Sequence, residues 1–142
     1  MEQYFFKELS FYWNDEYDQS LGDETPIPVN IRFEMSSGVT AEEDGPGEVE
    51  TVDRGGVELA CIINAEECNN APFSVYAVMR GLFRTKEKVS KERMRRYLEI
   101  NGVAAMFPFL RSAIADLTKA SNIPPIILPM TNIHALVVDS KS

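Results

Sequence analysis

Phe73-Ser-Val-Tyr-Ala-Val-Met-Arg-Gly-Leu-Phe83 puts Phe73, Val75, Ala77, Met79, Gly81 and Phe83 on one side of an extended chain. Successive side chains of a strand point to opposite faces, so this spacing predicts a strand with one buried face. Twenty residues on, the period changes. Val103, Met106, Phe107, Leu110, Ile114 and Leu117 recur at helical intervals and predict an amphipathic helix ending near Ala120-Ser121. Pro108 lies inside this run, so the helix either starts close to it or kinks there. Between the two patterns, Lys86 to Ile100 is charged and free of proline, and Ser90 is placed to cap a short helix beginning with Lys91 and Glu92. Asn122-Ile-Pro-Pro125 stops the long helix. Ile126-Ile-Leu128, with a proline on each side, reads as extended, and Ile133 to Val138 is a last short apolar element.

Working back from Phe73, the turn Glu67 to Pro72 separates it from a third strand, about Val57 to Ala65, with Val57, Leu59, Cys61, Ile63 and Ala65 inward. Gly-Pro-Gly and many acids between Ser36 and Gly56 predict a flexible exposed connection. Before it, Val29, Ile31, Phe33 and Met35 alternate with polar residues, the pattern of a half-buried strand. Residues 3–13 are aromatic-rich and lack Gly and Pro, which favours another strand, and Asn14 to Pro28 is an acidic, turn-rich loop. Four strands with no helix between them pair antiparallel. The expected architecture is a single α+β domain over residues 1–142, a four-stranded antiparallel sheet followed by two helices.

The chain of 142 residues can bury one core. Its net charge of -8 repels phosphate backbones and anionic lipid, so nucleic acid is not an expected partner. No apolar run is long enough to span a bilayer, which argues against direct membrane insertion, and the N-terminal residues lack the pattern of a signal peptide. Two cysteines, Cys61 and Cys68, make no disulfide framework, and a cytoplasmic, thiol-reduced protein is the expectation.

Catalytic patterns are not visible. The single histidine, His134, cannot build a multi-histidine metal site, and Cys61 and Cys68 have the wrong spacing for a zinc knuckle. Glu66 and Glu67 carry the wrong charge to activate Cys68. The acids Glu42, Glu43, Asp44, Glu48 and Glu50 do not match a calcium loop and read as a solvated stretch. Neither an enzyme nor a cofactor is expected.

Longer motifs are informative. Met106-Phe-Pro-Phe-Leu-Arg111 resembles the Leu-Phe-Pro-Tyr-x-Arg core in the helix of the SecB export chaperones. Ile123-Pro-Pro-Ile-Ile-Leu128-Pro-Met-Thr-Asn132-Ile-His-Ala-Leu136 is similar to that family's Phe-Pro-x-Leu-x-Leu-x-Pro-x-Asn-Phe-x-x-Leu segment. Gly81-Leu-Phe83 resembles a family strand ending in Gly-Ile-Phe, and Phe6-Lys-Glu-Leu-Ser-Phe11 the opening Lys-Asp-Ile-Ser-Phe strand. The resemblance implies an ATP-independent chaperone of unfolded polypeptides, assembled as a homotetramer (a dimer of dimers), with Val75, Ala77 and Met79 on the interface strand. It also implies an acidic outer sheet face for the motor ATPase SecA. Glu8 fits one such position, while Tyr12 and Tyr76 stand where acids are expected. The sequence to Ser142 shows no Cys/His zinc tail of the family type. Some SecB-like members chaperone an antitoxin instead, so the alternative is an adaptor or antitoxin-type chaperone dedicated to one client, and the expected partner beyond unfolded chains is SecA or an antitoxin.

Holding an unfolded segment orders its backbone at ~1–2 kcal/mol per residue, which apolar burial at ~25 cal/mol/Å² can offset without sequence-specific hydrogen bonds. The walls of such a site should be aromatic and aliphatic. The candidates are Tyr12, Trp13, Tyr17, Phe109, Ile126 and Leu128, where the loops and the proline-bounded segment would meet the sheet.

Overall fold

The computed structural model describes residues 1–15, 29–40, 51–64 and 71–128. Four strands, β1 (Gln3–Trp13), β2 (Ile31–Thr40), β3 (Thr51–Ile63) and β4 (Phe73–Ser90), pair antiparallel in the order β1-β4-β3-β2. Strands adjacent in sequence, β1 and β2, therefore lie at opposite edges. Helices α1 (Lys91–Tyr97) and α2 (Val103–Ala120) follow the sheet, with a π turn, Leu98–Gly102, between them.

The alternation of β3 and β4 becomes a buried face. Leu59, Cys61, Ile63, Val75, Ala77 and Met79 are completely enclosed, and Leu98, Met106, Leu110 and Ile114 close over them from the helical side. Each such aliphatic side chain contributes roughly 1.5–3 kcal/mol relative to exposure. Gly81 permits the close approach, since a Cβ there would lie 2.8 Å from Met106 Sδ. Ser90 caps α1 as expected, its Oγ accepting from Arg93 N at 3.2 Å.

Three element boundaries differ from the sequence expectation. Both ends of the connection expected from Ser36 to Gly56, residues 36–40 and 51–56, are strand, because β2 and β3 pair from Ile31↔Ile63 to Thr40↔Arg54; residues 41–50 lie outside the described residues. A backbone ladder needs no side chains, so Gly38 opposite Gly56 does not end it. β4 likewise continues seven residues past Phe83, pairing Val89 with Val52 and Ser90 with Thr51. The two helices also join: Tyr97, Leu98, Gly102 and Val103 all hold right-handed helical backbone, giving one rod from Lys91 to Ala120. The π turn adds one residue between Leu98 and Val103, which keeps both on the buried side. The rod runs through Pro108, starting well before it.

β1 carries a bulge. Its register with β4 shifts between Phe6 and Glu8, and Lys7 reaches across to Glu58 Oε2 at 3.1 Å. Directly opposite residues share a face, so Tyr4, Phe6, Leu9, Phe11 and Trp13, opposite Gly81, Met79, Ala77, Val75 and Phe73, all lie on the helix side. A regular period of two would have split this set between the faces.

Candidate polypeptide-binding surface

The helix does not cover all of β1's inner face. Tyr4, Leu9 and Trp13 keep 40%, 41% and 55% of their surface exposed, and Phe109 of α2 keeps 40%. Tyr4 and Phe109 stack at 4.4 Å between ring centroids, tilted 30°. Phe11, half-buried, sits between Trp13 at 5.0 Å and Phe73 at 5.3 Å and ties the exposed indole to the core. The result is an apolar ledge along the β1 edge, supported by packed rings beneath. Sequence reasoning placed Trp13 and Phe109 there and missed Tyr4 and Leu9, because only the bulge brings them into phase.

Tyr12 belongs to the other surface. It is opposite Ser74, on the face away from the helices, and meets Tyr76 edge-on at 5.9 Å. Neighbouring residues on a strand cannot form one wall, so Tyr12 and Trp13 serve different faces. Glu8 shares Tyr12's face, is exposed, and accepts from Ser10 Oγ at 2.9 Å. Charges around it are mixed: Lys7 neutralises Glu58, Arg32 lies 3.5 Å from Glu34, and Arg80 is exposed. This face is not an acidic sheet.

The proline-bounded segment returns along α2. Thr118 Oγ1 accepts from Ile126 N at 2.9 Å and donates to Ile114 O, and Arg111 Nε donates to Leu128 O at 2.9 Å. These bonds seat Leu128 wholly in the core, so it is not a wall residue; the inward turn of its side chain follows from the anchoring of its carbonyl. Ile126 is half-buried against the core, and Ile127, 56% exposed, is the side chain the segment presents. Ile127, Phe107, Pro108, Arg111, Ser112 and Ala115 line a shallow hollow of about 250 Å³. Tyr17, Cys68 and His134 lie outside the described residues.

Val75, Ala77 and Met79 need relocating. All three are sealed inside one chain beneath the helical rod and offer no surface to a second subunit. On an alternating strand the face available to a neighbour is the opposite one, Ser74, Tyr76 and Val78, which is half-exposed.

Among the described residues no three His, Cys, Asp or Glu side chains converge as metal ligands, and no helix is long and apolar enough to cross a membrane. Burial pushes the Cys61 thiol up to about 12. The folded protein thus holds a proton that the unfolded chain releases near the ordinary value of 9.0. Stability from this site is fully present below about pH 9 and falls as pH rises toward 12, by ~1.4 kcal/mol per pH unit. Denaturant melts between neutral pH and pH 10.5 should show this slope, and Cys61→Ala should flatten it; an unchanged slope would place the thiol in contact with solvent.

A family model described as preprotein translocase subunit SecB matches residues 1–142. An uncharacterized protein of Methanocaldococcus jannaschii is 27% identical over 140 residues, covering 96% of this chain and 80% of its own. The protein-export protein SecB of Anaplasma phagocytophilum is 29% identical over 116 residues, 79% of this chain and 72% of its own. Among solved structures, a SecB-like chaperone of Mycobacterium tuberculosis, in complex with a ChAD peptide from an antitoxin, superposes with a TM-score of 0.60. That match covers 92% of this chain and 88% of the other at 15% identity, so it speaks for the fold.

Proposed function

Because this chain belongs to the SecB family, we propose that it is an ATP-independent chaperone that holds non-native polypeptide in the cytoplasm. The observation that carries this reading is the apolar ledge of Tyr4, Leu9, Trp13 and Phe109, fixed on packed rings yet open to solvent. Exposed apolar side chains grouped on one surface mark a place where another chain is bound. Here they adjoin the outer edge of β1, which no strand among the described residues covers and whose backbone groups can also receive an extended segment. Binding through area and backbone needs neither nucleotide nor a defined client sequence. Each contact is weak, and assembly into a homotetramer raises the effective concentration of sites for one long client. Subunit contacts fall to the open sheet face and the strand edges, since the inner face of β4 is filled by its own helix.

A second reading, a chaperone dedicated to one client such as an antitoxin, is favoured by the open face. The Tyr12–Tyr76 pair and the neutralised Glu58 leave Glu8 without the acidic surroundings that SecA docking would use.

Light scattering of a denaturant-unfolded client diluted into buffer without nucleotide tests the proposal. The wild-type protein should suppress aggregation near one assembly per client, and Leu9→Ser with Trp13→Ser should weaken this roughly tenfold, about 1.4 kcal/mol, with the fold intact by circular dichroism. A protein that sediments as a monomer and leaves aggregation unchanged would sink it. Protection of one client among a panel of unrelated ones would select the dedicated reading.

A further inference from the structure

Charge is divided unevenly in this molecule. Half of the 14 Lys and Arg residues fall within residues 84–96, beside only two acids, Glu87 and Glu92. This stretch carries +5 (seven cations, two acids), while the rest of the chain carries -13 (seven cations, twenty acids). In the fold the stretch is one corner. β1 last pairs with β4 at Leu82, so among the described residues the end of β4 has a strand neighbour only on its β3 side, and it leads directly into α1. Lys86, Lys88, Arg93, Arg95 and Arg96 are exposed and Lys91 is half-exposed. Arg84 lies near Glu2 and Asp53, and Arg96 makes a loose 3.9 Å contact with Glu92. Among the described residues, Lys86, Lys88, Lys91, Arg93 and Arg95 have no ion-pair partner.

Helix stability does not account for this arrangement. Lys91 and Arg93 stand in the first turn, at the positive end of the helix dipole, where cations are unfavourable. Lys91 and Arg95, and Arg93 and Arg96, are like charges at helical-neighbour spacing. Solubility is already supplied by the acids elsewhere.

We infer that the β4–α1 corner is a docking site for a short Asp/Glu-rich segment of a partner polypeptide. The size of the patch selects that occupant. Screening over a Debye length of ~8 Å lets a segment of a few residues feel the corner alone. A long nucleic acid or an anionic bilayer would extend past the corner and meet the repulsion of a chain that carries -13 outside it. Residues 84–96 also contain no aromatic side chain on which a base could stack.

The test uses the full-length protein and a fluorescein-labelled peptide of ten glutamates, read by anisotropy at about 50 and 150 mM salt. Binding should be saturable and weaken with salt. The charge-reversal variant Lys88→Glu/Lys91→Glu/Arg93→Glu should lose affinity at least tenfold while melting no lower than the wild-type protein, because it places acids in the first turn of α1 and turns the Lys91–Arg95 and Arg93–Arg96 repulsions into attractions. A purely structural role would lower the melting temperature instead. The inference is overturned if a glutamine peptide of equal length binds as well, if the reversal leaves affinity unchanged, or if a ten-nucleotide oligothymidine or phosphatidylserine vesicles bind more tightly than the glutamate peptide. It is overturned too if binding appears only after Glu42, Glu43, Asp44, Glu48 and Glu50 are changed to their amides, since the corner's charge would then be neutralised within the chain.

Discussion

Phe107→Ala should remove about 3–5 kcal/mol of stability, while Phe109→Ala, two residues along the same helix, should remove less than about 1 kcal/mol. Phe107 is buried and meets the Phe33 ring of β2 at 6.0 Å, so truncation leaves a cavity between α2 and the sheet that rigid strands cannot fill. Native domains hold only about 5–15 kcal/mol in total, so this one change would leave a substantial unfolded fraction. Phe109 keeps water on one side and Tyr4 on the other, and its loss exposes little that was hidden. The functional consequence is inverted. Phe109→Ala should fold normally and hold client less well, because the ledge loses its only α2 ring. Guanidinium melts paired with aggregation assays separate the two effects. Equal loss of stability in both variants would mean that Phe109 is core and that the ledge is misassigned.

The second contrast uses two glycines on adjacent strands. Gly81→Ala should cost about 1–3 kcal/mol, whereas Gly56→Ala should be neutral or stabilise by up to ~0.5–1 kcal/mol. A Cβ on Gly81 points beneath the helix, 2.8 Å from Met106 Sδ and 2.9 Å from Phe83 Cε2. Met106 is itself enclosed, so its sulfur has no free space to retreat into, and the helix must lift. A Cβ on Gly56 points to the open face and meets Gly81 O and Leu82 at 3.6 Å, ordinary contact distance. Glycine in a strand loses more chain entropy on folding than alanine, so removing it there is favourable. Valine at position 81 should be worse still, and urea midpoints measured side by side would decide. A Gly81→Ala protein as stable as Gly56→Ala would refute the close helix–sheet packing.

These contrasts also show where sequence reading stops. The buried faces of β3 and β4 and of α2 were legible because period-two and helical spacings map directly onto the core side chains, from Val57 to Ile63 and Phe73 to Phe83. The Ser90 cap was legible for the same reason: its hydrogen bond is local. The candidate surface was legible only in part. Trp13 and Phe109 emerge on the ledge, but Tyr12 lies on the opposite face and Leu128 is buried. Their fates depend on a one-residue bulge at Lys7 and on Arg111 and Thr118 capturing the returning chain, events between residues 17 or more apart or across a ladder, except for the shorter Thr118–Ile126 bond.

By itself, then, the order of residues determined an α+β chain with four strands before two helices, which side chains of β3, β4 and α2 would be hidden, and a family resemblance carried by Phe107-Pro108 and Gly81-Leu82-Phe83. Tertiary structure decided the strand order, the phase of β1, the fusion of two helices through a π turn and the placing of a +5 corner within an acidic molecule. The division has one physical cause. Periodicity and caps are set by neighbours a few bonds away, whereas register, edges and charge patches arise only when distant segments compete for the same ladder and the same core.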